Sequence, residues 1–142
     1  MALEKVHAYV ISLKSAIERQ AASRKQLDKL GINWNFIDAV DGRLIKGEIS
    51  EYPRKKVKRL LGFEMTASEI GCYLSHKEAW KKISEGTKLG IVFEDDFQLE
   101  DTFSNAIEFA CDNENEWEIL RCQGLTTVPY VISVKNEDFS IV

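Results

Sequence analysis

The feature that most constrains this fold is an apolar run, residues 89–93, that ends abruptly in three consecutive acids, Glu94, Asp95 and Asp96. The apolar part is typical of a buried strand, whereas three carboxylates cannot continue into a core. Neighbouring carboxylates repel one another, so a bound divalent cation is the simplest explanation for such a cluster. The sequence therefore predicts a buried strand that ends at a metal site, with a solvated acidic loop as the alternative.

Strands and helices are predicted to alternate along the chain, because runs rich in β-branched residues are separated by segments with helical spacing. We predict strands at residues 6–13, 34–40, 89–93 and 117–122, and further strand-like segments at 128–134 and 139–142. We predict helices at residues 15–30, 67–84 and 103–110, and a long loop with one basic helical turn at 43–62. The second helix opens with a capping box formed by Thr66 and Glu69. This order predicts an α/β fold with a mainly parallel sheet flanked by helices.

Length, charge and cysteine usage limit the class of protein. The 142 residues predict a single domain, 1–142, and the net charge of −4 argues against a nucleic-acid-binding protein. Three cysteines, Cys72, Cys111 and Cys122, cannot all pair, which favours reduced thiols in a cytoplasmic protein. No segment has the ~18 apolar residues of a membrane span or the pattern of a signal peptide.

Ligands of open α/β sheets bind beyond the carboxyl ends of the strands, and several polar residues are predicted to lie there. Side chains alternate along an extended segment, so Glu94 and Asp96 are predicted to face one site and Asp95 the other side. Asp38 ends the second strand, where an acid in nucleotide-binding folds often receives ribose hydroxyls or base edges. The chain has neither GxGxxG nor GxxxxGK[ST], which argues against a dinucleotide cofactor or a P-loop nucleotide.

Three further features have a structural interpretation beside the functional one. Arg19, on the first predicted helix, suits phosphate oxygens, although an exposed helical arginine is the commoner case. His76 shares an apolar stripe with Tyr73 and Trp80, which favours a packed histidine. The basic cluster at residues 54–59 is typical of a solvated face, and it also suits anionic lipid or glycan phosphate.

Four segments in this order resemble glycosyltransferase family 25, which includes bacterial lipooligosaccharide galactosyltransferases and collagen galactosyltransferase domains. The matching segments are residues 10–13 with Glu18 and Arg19, residues 36–42 (FIDAVDG), residues 68–76 (SEIGCYLSH) and residues 91–96 (IVFEDD). Four blocks in the right order are far more specific than any one of them.

The resemblance implies a metal-dependent glycosyltransferase with a GT-A-like nucleotide-sugar-binding sheet, of which this chain would hold the N-terminal half. It implies transfer of galactose from UDP-galactose, with inversion, to a lipooligosaccharide or lipopolysaccharide acceptor. By position, Glu94 and Asp96 would hold Mn²⁺ or Mg²⁺, and Asp96 and His76 would be the catalytic residues. The substrate-binding positions would be Arg19, Asp38, Ser75 and Asp95. The general base is left open.

Members of the family continue well beyond the acidic motif, so we expect a C-terminally short chain. Two alternatives follow: a piece or short form of an enzyme, and a truncated non-catalytic remnant that folds and binds a UDP-sugar. The expected partners are a UDP-sugar donor and a glycan acceptor on the lipid A-core. The expected location is cytoplasmic, with peripheral contact at the inner face of the inner membrane. A receiver-like signalling domain is disfavoured, because residues 13–15 lack the acidic pair which that class needs after its first strand.

Overall fold

The structure is a computed structural model that describes residues 2–122, 134–135 and 140–141. It contains two compact units, the sheet unit Val6–Gln98 and a C-terminal unit made of Met1–Lys5 and Leu99–Val142. The helices and strands are β1 Val6–Ser12, α1 Ile17–Leu30, β2 Asn33–Asp38, α2 Arg54–Leu61, α3 Ala67–Glu85, β3 Leu89–Glu94, α4 Phe103–Asp112, β4 Val134–Lys135 and β5 Ser140–Ile141. The predicted alternation of strands and helices is confirmed over the sheet unit.

β1 is the central strand of a three-stranded parallel sheet with the order β2-β1-β3. Its side chains are the most buried of the three strands, as expected for a strand with a neighbour on each edge. Ser12 is paired with Asp38 of β2, and Ile11 is paired with Glu94 of β3. All three strands therefore end at one side of the sheet, which we call the carboxyl edge, and the predicted α/β fold with a parallel sheet is confirmed.

α1 and α3 connect the strands in opposite directions across the sheet. α1 leads from β1 to β2, and α3 lies on the connection from β2 to β3 on the other side of β1. Right-handed crossovers therefore put the two helices on opposite faces. Ala79 of α3 packs with Ile11 and Ile37 of the sheet, while Leu27 of α1 is fully buried. The change of direction creates a switch point between β1 and β3, the place where open α/β sheets bind ligands.

α3 begins where the capping box predicts. The Glu69 backbone N–H donates to Thr66 Oγ1 at 3.3 Å, and the Thr66 N–H donates to Glu69 Oε2 at 2.7 Å. These two bonds satisfy amide groups that the first turn of a helix leaves without partners. The bond from the Thr66 backbone, together with that from its hydroxyl, lowers the pKa of the Glu69 carboxyl. The first turn of α3 is therefore held in place by its own sequence.

Two glycines allow the loop after β2 to lie directly against α3. A Cβ at Gly42 would lie 1.6 Å from the carbonyl oxygen of Ala67, and a Cβ at Gly71 would lie 2.5 Å from that of Val40. Both distances are to backbone atoms, which cannot rotate away as a side chain can. Loop residues 39–42 and the start of α3 therefore form one tightly packed corner beside the carboxyl edge.

The segment predicted as a long loop holds more structure than its sequence pattern indicates. Asp41 caps a short 3₁₀ helix, Gly42–Leu44, by accepting a hydrogen bond from the Arg43 N–H. The basic helical turn expected after Pro53 is the two-turn helix α2, which ends at Gly62 with a φ of 81°. Its apolar residues, Val57, Leu60 and Leu61, lie on one face at helical spacing, but five basic residues over the first six positions made this short stripe hard to recognise.

The prediction of a strand at residues 117–122 is wrong. The chain there is irregular and follows a 3₁₀ turn, Glu114–Glu116. The Trp117 indole N–H donates to the carbonyl oxygen of Ala110 at 3.0 Å, which fastens this segment to the end of α4. Ile119 is 89% exposed, so the run has no buried face that would favour a strand. Local β propensity was outweighed by this helix-end contact.

The C-terminal unit contains α4 and a short antiparallel pair. α4 packs against the 3₁₀ turn Ala2–Lys5, and β4 pairs with β5. Most of the strand-like segments predicted at 128–134 and 139–142 lies outside the described residues. No helix among the described residues is both long and apolar enough to cross a membrane. The C-terminally short single domain, 1–142, stays a prediction.

Candidate functional site

A groove of about 420 Å³ lies at the carboxyl edge of the sheet, beside the switch point between β1 and β3. Its walls come from the end of β1, the start of α1, the loop after β2, the first turns of α3 and the end of β3. The charged residues among its lining are Arg19, Asp41, Arg43, Glu94 and Asp95. This volume is in the range of pockets for small ligands, and the mixed charge suits a polar ligand.

Glu94 ends β3 and lies on the α3 side of the sheet, where it meets two side chains of that helix. Its Oε1 atom is 3.1 Å from His76 Nε2 and 3.7 Å from Cys72 Sγ. Cys72 and His76 are four residues apart on α3, so they project from the same face of the helix. Partial burial of the Cys72 thiol raises its pKa, and the Glu94 carboxylate raises it further, so the thiol is protonated and donates to Glu94.

Asp95, the next residue, has the opposite environment. It is buried, and its Oδ2 accepts a hydrogen bond from the Ser12 hydroxyl at 2.5 Å. Its Oδ1 is 3.3 Å from Arg19 Nη1, so the carboxylate is fixed between β1 and α1. Glu94 and Asp95 thus contact opposite helices, as the alternation along an extended segment predicts. The contacts give Asp95 a structural role, and its predicted substrate binding stays a prediction.

Ser75 joins α3 to the loop after β2. Its hydroxyl accepts a hydrogen bond from the Val40 N–H at 2.9 Å and donates to the carbonyl oxygen of Gly71 at 2.7 Å. Ser75 is 1% exposed, so these two bonds satisfy a polar group that water does not reach. Ser75 lines the groove, and its contacts explain how that wall is positioned.

Arg43 and Asp41 form a charged pair on the loop side of the groove. Arg43 Nε and Nη2 donate to the two carboxylate oxygens of Asp41 at 2.8 and 2.7 Å. The Arg43 side chain lowers the pKa of the Asp41 carboxyl, and the carboxylate in turn raises the pKa of Arg43. Asp41 thus both pairs with Arg43 and caps the 3₁₀ helix Gly42–Leu44. Arg43 was not predicted as a site residue, because nothing in its spacing indicates that the loop folds back toward β3.

Two predicted site residues are not among those that line the groove, Asp38 and Asp96. Asp38 is exposed and forms an ion pair with Lys14 at 3.0 Å. Asp96 is exposed in the turn that follows β3. Their roles in donor binding, metal binding and catalysis stay predictions. Arg19, Ser75, His76, Glu94 and Asp95 all line the groove.

Sequence reasoning also missed Cys72 and Ser12. The spacing of Cys72 and His76 on a predicted helix was a usable signal, since it puts a thiol and an imidazole on one face. No signal was available for Ser12, because its partner Asp95 lies 83 residues away and the contact depends on β1 and β3 being neighbours. Local pattern can therefore predict pairs on one helix, but not pairs made by strand order.

Comparison with known proteins gives consistent matches over most of the chain. The family model described as glycosyltransferase family 25 (LPS biosynthesis protein) matches residues 5–138. The chain is 34% identical over 110 residues to lipooligosaccharide biosynthesis protein lic2B of Haemophilus influenzae, a match that covers 77% of this chain and 38% of that protein.

Longer animal proteins match a stretch of similar length. Procollagen galactosyltransferase 1-B of Xenopus laevis is 31% identical over 108 residues, covering 70% of this chain and 17% of that protein. Probable inactive glycosyltransferase 25 family member 3 of Rattus norvegicus is 33% identical over 108 residues, covering 70% of this chain and 18% of that protein. The chain therefore spans less than a fifth of the length of these two relatives and less than two-fifths of lic2B.

Proposed function

We propose, because this chain belongs to glycosyltransferase family 25, that its groove binds a UDP-sugar and that the protein transfers a hexose to a glycan acceptor. The observation that carries this proposal is the groove at the switch point, which has an exposed carboxylate, Glu94, and two arginines, Arg19 and Arg43, among its lining. Arginine side chains suit phosphate oxygens, and a carboxylate suits the cation that accompanies a diphosphate. A GT-A-like donor site is part of this proposal.

Galactose is the sugar we propose, and a lipooligosaccharide or lipopolysaccharide core is the acceptor. The names of two relatives support this choice, since lic2B is named for lipooligosaccharide biosynthesis and the Xenopus protein for galactosyl transfer. The family description also names LPS biosynthesis. A lipid A-core acceptor would put the protein in the cytoplasm at the inner face of the inner membrane.

Mn²⁺ or Mg²⁺ fits the carboxylates after β3. Such ions bind one or two protein carboxylates and complete their shell with phosphate oxygens and water. Glu94 lies on the groove wall with its side chain 57% exposed, and the adjacent Asp96 is exposed as well. We propose these two residues as ligands. When bound, the ion would supply positive charge against the negative charge that develops on the leaving UDP.

The proposed transfer inverts the configuration of the sugar. The acceptor oxygen forms a bond to the anomeric carbon while the bond from that carbon to the β-phosphate oxygen breaks, and UDP leaves with the electron pair. The proton of the acceptor hydroxyl must pass to a general base. His76, which lines the groove, is our candidate for this base, and Asp96 is the second proposed catalytic residue.

Calorimetric titration with UDP and Mn²⁺ tests this proposal. We expect Glu94→Gln to weaken UDP binding at least about tenfold in the presence of Mn²⁺, because the neutral amide is a poor ligand for a hard cation. Glu78→Gln is the matched control, since it removes one exposed carboxylate from α3 outside the groove lining. Equal affinities for UDP in the two variants would contradict the proposed site.

A second candidate function is a non-catalytic remnant that binds the donor without transferring sugar. One observation favours it: the relative from Rattus norvegicus, which matches 70% of this chain, is named as probably inactive. An assay of UDP release from UDP-galactose, run beside the titration, separates the two candidates. UDP release above the rate of the Glu94→Gln variant favours the enzyme, whereas UDP binding without release favours the remnant.

Peripheral membrane contact is proposed through α2 and the residues after it. The helix has five basic residues and no buried residue, and Leu60, Leu61 and Phe63 are more than half exposed. Basic side chains beside exposed apolar ones suit a surface of anionic lipid. Lys58 and Arg54 also contact Glu64, which leaves Lys55, Lys56 and Arg59 as the basic residues best suited to lipid contact.

Co-sedimentation with lipid vesicles measures this contact. The double variant Lys55→Glu and Lys56→Glu should bind vesicles that contain anionic lipid at least about tenfold more weakly, since each basic residue near such a surface contributes about 1 kcal/mol. Lys25→Glu with Lys29→Glu, on the exposed surface of α1, is the control of equal charge change. Similar losses in both double variants would indicate a general charge effect and contradict a specific role for α2.

A further inference from the structure

The groove contains a set of side chains whose chemistry differs from that of a magnesium or manganese site. Cys72 and His76 project from one face of α3 toward Glu94 at the end of β3. One potential ligand atom from each residue, a sulfur, a nitrogen and an oxygen, lies within 4.8 Å of the other two. Among the described residues, these three form the one group of three or more His, Cys, Asp or Glu side chains whose ligand atoms lie close enough to share an ion. Glu94 therefore lies beside a thiol and an imidazole, two groups that a magnesium or manganese site does not need.

We propose that Cys72, His76 and Glu94 form a three-ligand site for a borderline-soft divalent transition-metal ion such as Zn²⁺. Thiolate and imidazole are ligands that zinc and cobalt favour, whereas magnesium, calcium and manganese favour oxygen. The site does not require the proposed transferase function, although it shares Glu94 with it. Two chemically different ions would therefore compete for one carboxylate.

Two of the three distances between these atoms lie close to those that a tetrahedral ion imposes. With usual zinc bond lengths, sulfur and oxygen ligands lie about 3.6 Å apart, and nitrogen and oxygen ligands about 3.4 Å apart. The corresponding distances here are 3.7 Å between Cys72 Sγ and Glu94 Oε1, and 3.1 Å between His76 Nε2 and the same oxygen. An ion would thus require only small side-chain movements and the loss of the thiol proton, which is released to solvent as the ion binds.

The fourth coordination position would face the groove, because all three residues are among its lining. Three protein ligands with one open position are typical of zinc sites that bind water or a substrate, whereas structural zinc sites are closed by four protein ligands. The chemical class of ligand expected at this position is a water molecule or an anionic oxygen, such as one from a phosphate. A zinc ion here would also occupy the His76 nitrogen that we propose as a base.

Titration of the whole protein with Co²⁺, in a buffer with a phosphine reductant, tests the site. Cobalt replaces zinc and reports its ligands, since a thiolate bound to it gives an intense near-ultraviolet band and tetrahedral geometry gives strong visible bands. We expect both kinds of band at one equivalent of Co²⁺, and their loss when excess Zn²⁺ is added. Cys72→Ser should remove the near-ultraviolet band and weaken binding by at least about 100-fold, more than outer-shell changes usually do.

Cys122→Ser is the matched control, because it removes another exposed thiol outside this cluster. Its cobalt spectrum should equal that of the unchanged protein. His76→Asn and Glu94→Gln should each weaken Co²⁺ binding, with far-ultraviolet circular dichroism showing that the fold is kept. A thiolate band that survives in Cys72→Ser, or no cobalt band in the unchanged protein, overturns the proposal. Calorimetry with UDP and Mn²⁺ decides the proposed function separately, so the two proposals can fail independently.

Discussion

Alanine at Gly42 is expected to destabilise the sheet unit more than alanine at any other glycine that the structure describes. The new Cβ would lie 1.6 Å from the Ala67 carbonyl oxygen and 2.5 Å from its carbon, so the loop and α3 must separate. We expect the free energy of unfolding to fall by at least about 3 kcal/mol, the upper end of the usual cost of overpacking. Urea denaturation, followed by circular dichroism and tryptophan fluorescence, measures this change.

Gly86→Ala is the control for this prediction. Its Cβ would lie 3.4 Å from the nearest atom, the carbonyl oxygen of Ile83, and the backbone there has an ordinary negative φ. We expect a change within about 1 kcal/mol, because neither a severe clash nor strain arises. If both variants unfold at the same urea concentration, the close approach of the Gly42 loop to α3 is not a feature of the protein in solution.

Two adjacent carboxylates are expected to respond to mutation in opposite ways. Asp95→Ala should lower the free energy of unfolding by about 2 to 3 kcal/mol, because the buried Ser12 hydroxyl keeps only its longer contact with the Leu13 carbonyl oxygen, at 3.3 Å, and Arg19 loses its ion-pair partner. The exposed guanidinium of Arg19 can turn to water, which keeps the cost below that of a fully buried pair. Glu94→Ala should change the free energy of unfolding by less than about 0.5 kcal/mol, since its side chain is exposed.

The affinity for UDP should depend on the two residues in the reverse order, with Glu94 mattering more than Asp95. Glu94→Ala is expected to abolish measurable UDP binding that depends on Mn²⁺, whereas Asp95→Asn, which keeps an oxygen for the Ser12 hydroxyl, should retain most of it. Urea denaturation and calorimetry on the same samples measure both properties. A Glu94 variant that is less stable than the Asp95 variant, or that binds UDP normally, would show that the division of roles between these carboxylates is wrong.

Much of the sheet unit could be predicted from local pattern. β1, α1 and β3 were recognised from apolar runs and helical spacing, and Thr66 with Glu69 located the start of α3 to the residue. Their signals are local, because capping and periodicity depend on residues a few positions apart. The segment after β2 was predicted less well. The apolar stripe of α2 is only three residues long and lies among five basic residues, and the capping of Gly42–Leu44 by Asp41 is visible only once the loop is folded.

The candidate site could be predicted in part for a related reason. The acids after β3 indicated the edge of the sheet where a ligand binds, because they interrupt an apolar run. Their different environments could not be read from the motif, since Ser12 and Arg19 come from β1 and α1, more than 70 residues earlier. The strand at 117–122 failed because a β-rich composition does not reveal that Trp117 fastens to the end of α4.

The division of work between Glu94 and Asp95 has a consequence for how this motif can change in evolution. Side chains at successive positions of an extended segment point to opposite faces, so a single inserted or deleted residue in β3 would exchange the two carboxylates. Asp95, which contacts β1 and α1, would then be exposed to solvent, and Glu94 would lie on the face of the sheet that α1 covers. We therefore expect an insertion or deletion in β3 to be tolerated less well than a substitution of Glu by Asp. The substitution shortens one side chain but leaves every residue on the same face of the sheet.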